Sequence, residues 1–198
     1  AGDRVPVIPV RASDLDALSA EIERQAEEVR ELFAGLSDES ATWRPDETRW
    51  SVTGHVTHVV IINRAYLGAI EAAIARAERK GPRSDGPYRH PAIAKWFVRT
   101  MEPPPKQRVK TMRSMVPDPA TAPDQAQADF VAVQERMAAL IERARGLDLG
   151  RVRFGSPFFK LLRFSLGAGF EMLLAHNRRH LWLAREVMGM PGFPGGAG

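Results

Sequence analysis

Apolar residues recur at three- and four-residue steps along four long stretches of the chain, the spacing of helices that each bury one face. The first, about Ser13 to Leu36, carries Leu15, Leu18, Ile22, Ala26, Val29 and Leu32 or Phe33 on that face. Ser13 is placed to cap its start, Asp14 and Asp16 suit the positive end of its dipole, and Gly35 lies near its end. The second begins at a cap on Ser51, continues through Ile61, Ile62, Ala65, Leu67, Ala69, Ile70 and Ile74, and stops near Lys80 before Gly81-Pro82. The third spans about Asp124 to Arg145 with Phe130, Val133, Met137, Leu140 and Ile141 on one side, and Gly146 ends it. The fourth runs from about Ser165 to Met188 along Phe170, Leu173, Leu174, Leu181, Leu183 and Val187. No strand-like alternation is long enough to predict a sheet.

Between these stretches lie two short links, a connector after the first helix and another link after the third, and one long crossover. The connector, Ser37 to Arg49, holds Trp43 and the turn signal Pro45-Asp46. The crossover, Gly81 to about Pro123, gathers prolines at 82, 87, 91, 103, 104, 105, 117, 119 and 123. Within it, Pro91 to Met101 predicts a short helix docked by Trp96 and Phe97. Trp43, Trp50 and Trp96 are expected to bury their rings at one end of the molecule. The pattern as a whole predicts an all-α protein, a four-helix bundle with a long crossover between helices two and three. A single domain is expected over residues 1–198, with its core at about 13–188 and a Gly/Pro-rich tail at 189–198.

Composition narrows the chemistry. With 198 residues and 44% hydrophobic positions the chain can fill one core but not two. It has no cysteine, which removes disulfides, thiolate ligands and a cysteine nucleophile, so any metal must be held by His, Asp or Glu. The apolar runs are short and interrupted, as Asn63 and Arg64 show after Ile62, and Ala1 to Val10 lacks a signal pattern; a cytoplasmic protein is the expectation. From Arg76 to Arg113 eleven Lys/Arg stand against three Asp/Glu, a local charge of +8 that leaves the rest of the chain at −4. The prolines and scattered spacing of that segment fit a solvated loop better than a nucleic-acid surface.

The histidines carry the candidate chemistry. His176 and His180, four apart in the fourth helix, fall about 40° apart on one face and within reach of one cation. His58 lies in line with the apolar stripe of the second helix; if those helices are neighbours, His58, His176 and His180 form a set of neutral nitrogen donors with coordination positions left open. Five histidines produce a four-residue spacing by accident often enough that the spacing needs outside support. The competing reading is that His176 and His180 are ordinary helix residues satisfied by hydrogen bonds or solvent. His55, one turn before His58, is expected to be solvent-exposed near the helix start, His90 to be a loop residue, and Arg178 and Arg179 to point away from the ligands to water.

The run from Trp43 through Trp50-Ser51-Val52 to His55 and His58 resembles the DinB-like (YfiT-like) pattern, in which a Trp-Ser-aliphatic entry to helix two precedes a histidine eight residues after the Trp. His176, His180 and the aliphatic stretch Leu181 to Val187 resemble the same pattern in helix four, and the likeness extends from about Asp14 to Met188. The resemblance implies a three-histidine site for a divalent cation, commonly Zn or Ni, frequent homodimers, and activity as a thiol-dependent transferase using a low-molecular-weight thiol or as a metal-dependent hydrolase. Such a site yields a nucleophile from bound water or a bound thiolate. No catalytic residue is legible beyond that; Glu171 lies about 140° around the helix from His176, and Glu21 and Asp129 are candidates for a general base. The alternative is a non-catalytic binding or stress-response bundle whose basic crossover contacts an acidic ligand or partner.

Overall fold

A computed structural model describes residues 15–84, 88, 92–105 and 111–195. Its helices are α1 (Leu15–Phe33), α2 (Asp38–Thr42), α3 (Val52–Lys80), α4 (Ala92–Met101), α5 (Pro123–Arg143) and α6 (Leu166–Met188), and a two-stranded antiparallel sheet joins β1 (Arg153–Gly155) to β2 (Arg163–Ser165). The protein is all-α, as the periodicity predicts, with α1, α3, α5 and α6 as the bundle. Ser51 caps α3 by accepting from the Gly54 N–H at 3.0 Å, and Ser165 caps α6 by accepting from the Ala168 N–H. Gly35 and Gly146, both at positive φ, lie just beyond α1 and α5. The expected cap Ser13, the dipole-favouring Asp14, the loop residue His90 and the helix-opening Pro91 lie outside the described residues.

Two elements escape the helical pattern. The five-residue α2 falls in the predicted connector, where Ser37 caps it by accepting from the Ser40 N–H. The β1–β2 hairpin has three-residue strands, too short for alternation to register, yet it buries Phe154 and Phe164. It sits against α6 where that helix has no side chain to obstruct it: a Cβ on Gly169 would come within 2.5 Å of the Phe154 ring.

The core fills the space between the four long helices, with Leu18, Val29, Leu67, Ile70, Phe130, Met137, Ile141, Phe170 and Leu173 almost wholly buried. Helix α3 is long and apolar enough to cross a bilayer, but 56% of its most apolar stretch is buried inside the protein, the position of a core helix.

Across the middle of the bundle runs a chain of buried amides. The Asn63 amide donates to Asn177 Oδ1 (3.1 Å), Asn177 donates to Gln25 Oε1 (3.0 Å), Gln134 donates to the same oxygen (3.2 Å), and Gln25 donates to the Leu174 carbonyl (3.0 Å). One residue from each of α1, α3, α5 and α6 takes part. Because a sliding or rotated helix would break these buried bonds, the network favours the register in which α3 faces α6.

Candidate metal centre

That register brings His58 on α3 against His176 and His180 on α6. One ring nitrogen from each lies within 4.8 Å of the others, and the ring centroids are 4.5 to 5.2 Å apart. The spacing i, i+4 on α6 and the inward stripe of α3 produce this convergence, so the three residues meet as the sequence reading expects. Two of the rings, His58 and His180, are set by a hydrogen-bonding neighbour. His58 Nδ1 is 2.7 Å from the Met115 carbonyl, which can only accept, so Nδ1 carries the hydrogen and Nε2 keeps its lone pair for the centre.

His55 is not at the surface. It is 8% exposed, and its Nδ1 lies 3.1 Å from His180 Nδ1, so one nitrogen of the pair donates and the other accepts. Helical geometry explains the miss: His55 and His58 are three apart and lie on adjoining sides of α3, and α6 packs over both. Trp50 closes the cluster, with its ring 4.7 Å from that of His58, 5.5 Å from His55 and 6.0 Å from His180. Trp43 meets Phe193 edge to face at 5.6 Å, but Trp96 is 63% exposed and does not dock the crossover helix; Phe97, against Phe164 at 5.6 Å, does.

Burial governs the protonation of these rings. Desolvation, with the charge of neighbouring His58, holds His55 down to about 3. Desolvation, with His58 and Arg179, holds His176 down to about 3. His180 is well below its ordinary value, first through burial and then through His176, His58, His55 and Arg179, and burial lowers His58 despite the opposing bond to Met115. All four are neutral at pH 7, the state in which imidazole ligates a cation. Among the described residues, His176 Nδ1 is a buried nitrogen without a hydrogen-bond partner. A cation is a group that would satisfy such an atom, and three convergent neutral imidazoles suit a borderline-soft divalent ion. The residues fit a metal.

A sequence profile of the DinB superfamily matches residues 21–184. This chain belongs to the DinB superfamily. Neither a curated protein nor a solved structure matches it.

In this DinB-superfamily protein the histidines form the floor of a cavity of about 440 Å³. The crossover supplies much of its wall: Phe97 and Met101 from α4, then Pro105, Thr111, Met112 and Met115, the last within a short 3-10 turn, Arg113–Met115. The suggested general bases are elsewhere. Glu21 is paired with Arg24 and Arg178 at 2.7 Å, which holds its carboxyl below the ordinary range against an opposing burial effect, and Asp129 is paired with Arg64 at 2.5 Å. Glu171, buried on α6, accepts from the Tyr88 hydroxyl at 3.2 Å and does not line the cavity. The lining carboxylate is Glu186, exposed at the mouth. Arg178 does not face water: it is mostly buried and bonds to Glu21 and to Glu102 of the crossover. Arg179 lines the cavity and donates to the Thr100 carbonyl at 3.2 Å.

Proposed function

We propose that this protein binds a divalent cation, Zn or Ni, through His58, His176 and His180 and is a metal-dependent enzyme acting on a small molecule held in the adjoining cavity. The observation that carries the reading is the convergence of three neutral imidazoles at the floor of an open cavity, with His176 Nδ1 lacking any other partner among the described residues. When bound, the cation supplies Lewis acidity toward whatever donor atom enters its open position.

The chain's own residues perform the remaining tasks. Met115 and His55 hold the His58 and His180 rings, so the donor atoms do not reorganise when a ligand arrives. Trp50 covers the ring faces and keeps bulk water from that side. Arg179, at the wall, is suited to meet negative charge on a bound molecule. With Glu21 and Asp129 held by arginines and Glu186 exposed at the mouth, the described carboxylates are poorly placed to deprotonate water. Thiol transfer is therefore favoured over hydrolysis, since a coordinated thiol loses its proton without a dedicated base.

The test is to purify the protein without a polyhistidine tag, measure bound Zn and Ni in wild type and His58→Ala, and screen both for thiol transfer to electrophiles and for ester and amide hydrolysis. Metal and activity lost together in the variant support the reading. Equal metal content, or metal bound without any activity in the wild type, counts against it.

A further inference from the structure

Five of the chain's seven methionines, Met101, Met112, Met115, Met172 and Met190, line this one cavity. Phe97, Phe158 and Phe159 join them, while the four histidines are at the floor and the charged or hydroxyl-bearing Glu186 and Thr48 are exposed at the mouth. The site thus combines a donor-rich histidine cluster, walls that are mostly apolar but carry Arg49, Tyr66, Thr111 and Arg179, and a wet rim. Met112 and Phe159 remain 42% and 51% exposed, apolar surface at the cavity that a bound molecule would cover. The volume is of the size that holds drug-sized ligands, and methionine walls adapt to irregular apolar shapes.

We propose that the molecule taken by this site has an apolar alkyl or aryl body and a single soft or anionic donor head, a thiol above all, and enters head first. Its head reaches His58, His176 and His180 while its body lies along Met101, Met115 and Met172. The placement of the head rests on the metal-binding reading; that of the body rests on the walls alone. A thiol carried on a sugar, with several hydroxyls, would set most of them against thioether, alkyl or phenyl groups that neither donate nor accept strongly; Arg49, Tyr66, Thr111 and Arg179 are too few and too scattered in the lining to replace the hydration of all of them.

The experiment is calorimetric titration of the full chain, metal-free and Zn-loaded, with n-alkanethiols from propanethiol to heptanethiol and with 1-thioglucose. The expected result is one site per chain, affinity rising about fourfold per added methylene in both forms, and thioglucose at least tenfold weaker than hexanethiol. Met101→Glu, which places a charge on the half-buried wall at the end of a surface helix, should flatten the dependence on chain length. No rise along the wild-type series, tighter binding of thioglucose than of hexanethiol, or an unchanged rise in Met101→Glu overturns the proposal. The two readings fail separately. Zinc that tightens every thiol alike with no chain-length dependence removes the apolar-body inference and keeps the metal, whereas a full chain-length dependence indifferent to zinc does the reverse.

Discussion

His55 Nδ1 and His180 Nδ1 face each other across the α3–α6 interface at 3.1 Å. If His180 presents Nε2 to the centre, its Nδ1 carries the hydrogen and His55 must accept it through Nδ1, which places the His55 hydrogen on Nε2. His55 is then a positioning residue for a ligand it never replaces. His55→Ala should leave the helical circular dichroism signal intact and weaken Zn binding about 10- to 100-fold in a competitive chelator titration. His55→Gln, whose amide oxygen can accept the same bond, should retain more affinity. Unchanged affinity in both variants would show that the pair does not act on the centre.

Helix positions and the meeting of His58, His176 and His180 were legible in the sequence because both follow from periods near 3.6 residues: the stripe of α3 carries His58 inward, and the i, i+4 pair of α6 aims both rings at one point. The supporting groups were not. Gln25, Asn63, Gln134 and Asn177 bond to one another across helices, so no local pattern announces the network; the available signal was an amide interrupting an apolar stripe, as Gln25 does between Ile22 and Val29. Trp50 over the histidines and Met115 on His58 depend on where the crossover returns, which proline spacing does not encode. The exposure of Trp96 likewise reflects which face of α4 meets α6: Phe97, one residue on, takes the buried side.

The amide chain predicts its own sensitivity. Asn177→Ala strands the Asn63 amide and removes a donor from Gln25 Oε1 in a fully buried setting. Unfolding in urea should show a loss of about 1–3 kcal/mol. Loosened register should also weaken Zn binding, although Asn177 does not line the cavity. A variant as stable as wild type would mean that the network contributes little.

Arg178 ties α6 to α1 through Glu21 and to the crossover through Glu102. Arg178→Met leaves the largely buried Glu21 with Arg24 as its remaining cation and the Gln25 amide as a neutral donor, so the midpoint of unfolding should fall. Limited proteolysis should also cut the crossover sooner than in wild type, since its anchor beyond α4 is gone. Identical digestion of the two proteins would contradict that anchoring role.

Acid should destabilise the metal-free protein in a defined window. The four histidines have folded pKa values below the unfolded value of about 6.5, with His55 and His176 near 3. Between those limits the unfolded chain binds more protons than the folded one, so stability falls as pH drops below about 6.5 and no longer changes from this source below the folded values. Each histidine contributes a slope of up to about 1.4 kcal/mol per pH unit. Urea midpoints at pH 8 and 7 should be close, with a steep decline toward pH 5. A flat profile from pH 7 to 5 would contradict the burial of neutral imidazoles.

The central claim is that His58, His176 and His180 together hold one divalent cation, and zinc X-ray absorption on the stoichiometrically loaded, untagged protein tests it most directly. The account predicts three imidazole nitrogens at about 2.0–2.1 Å in wild type and a loss of imidazole scattering, or of bound zinc altogether, in His58→Ala. A wild-type spectrum with fewer than three imidazoles, or a His58→Ala spectrum identical to wild type, would contradict it.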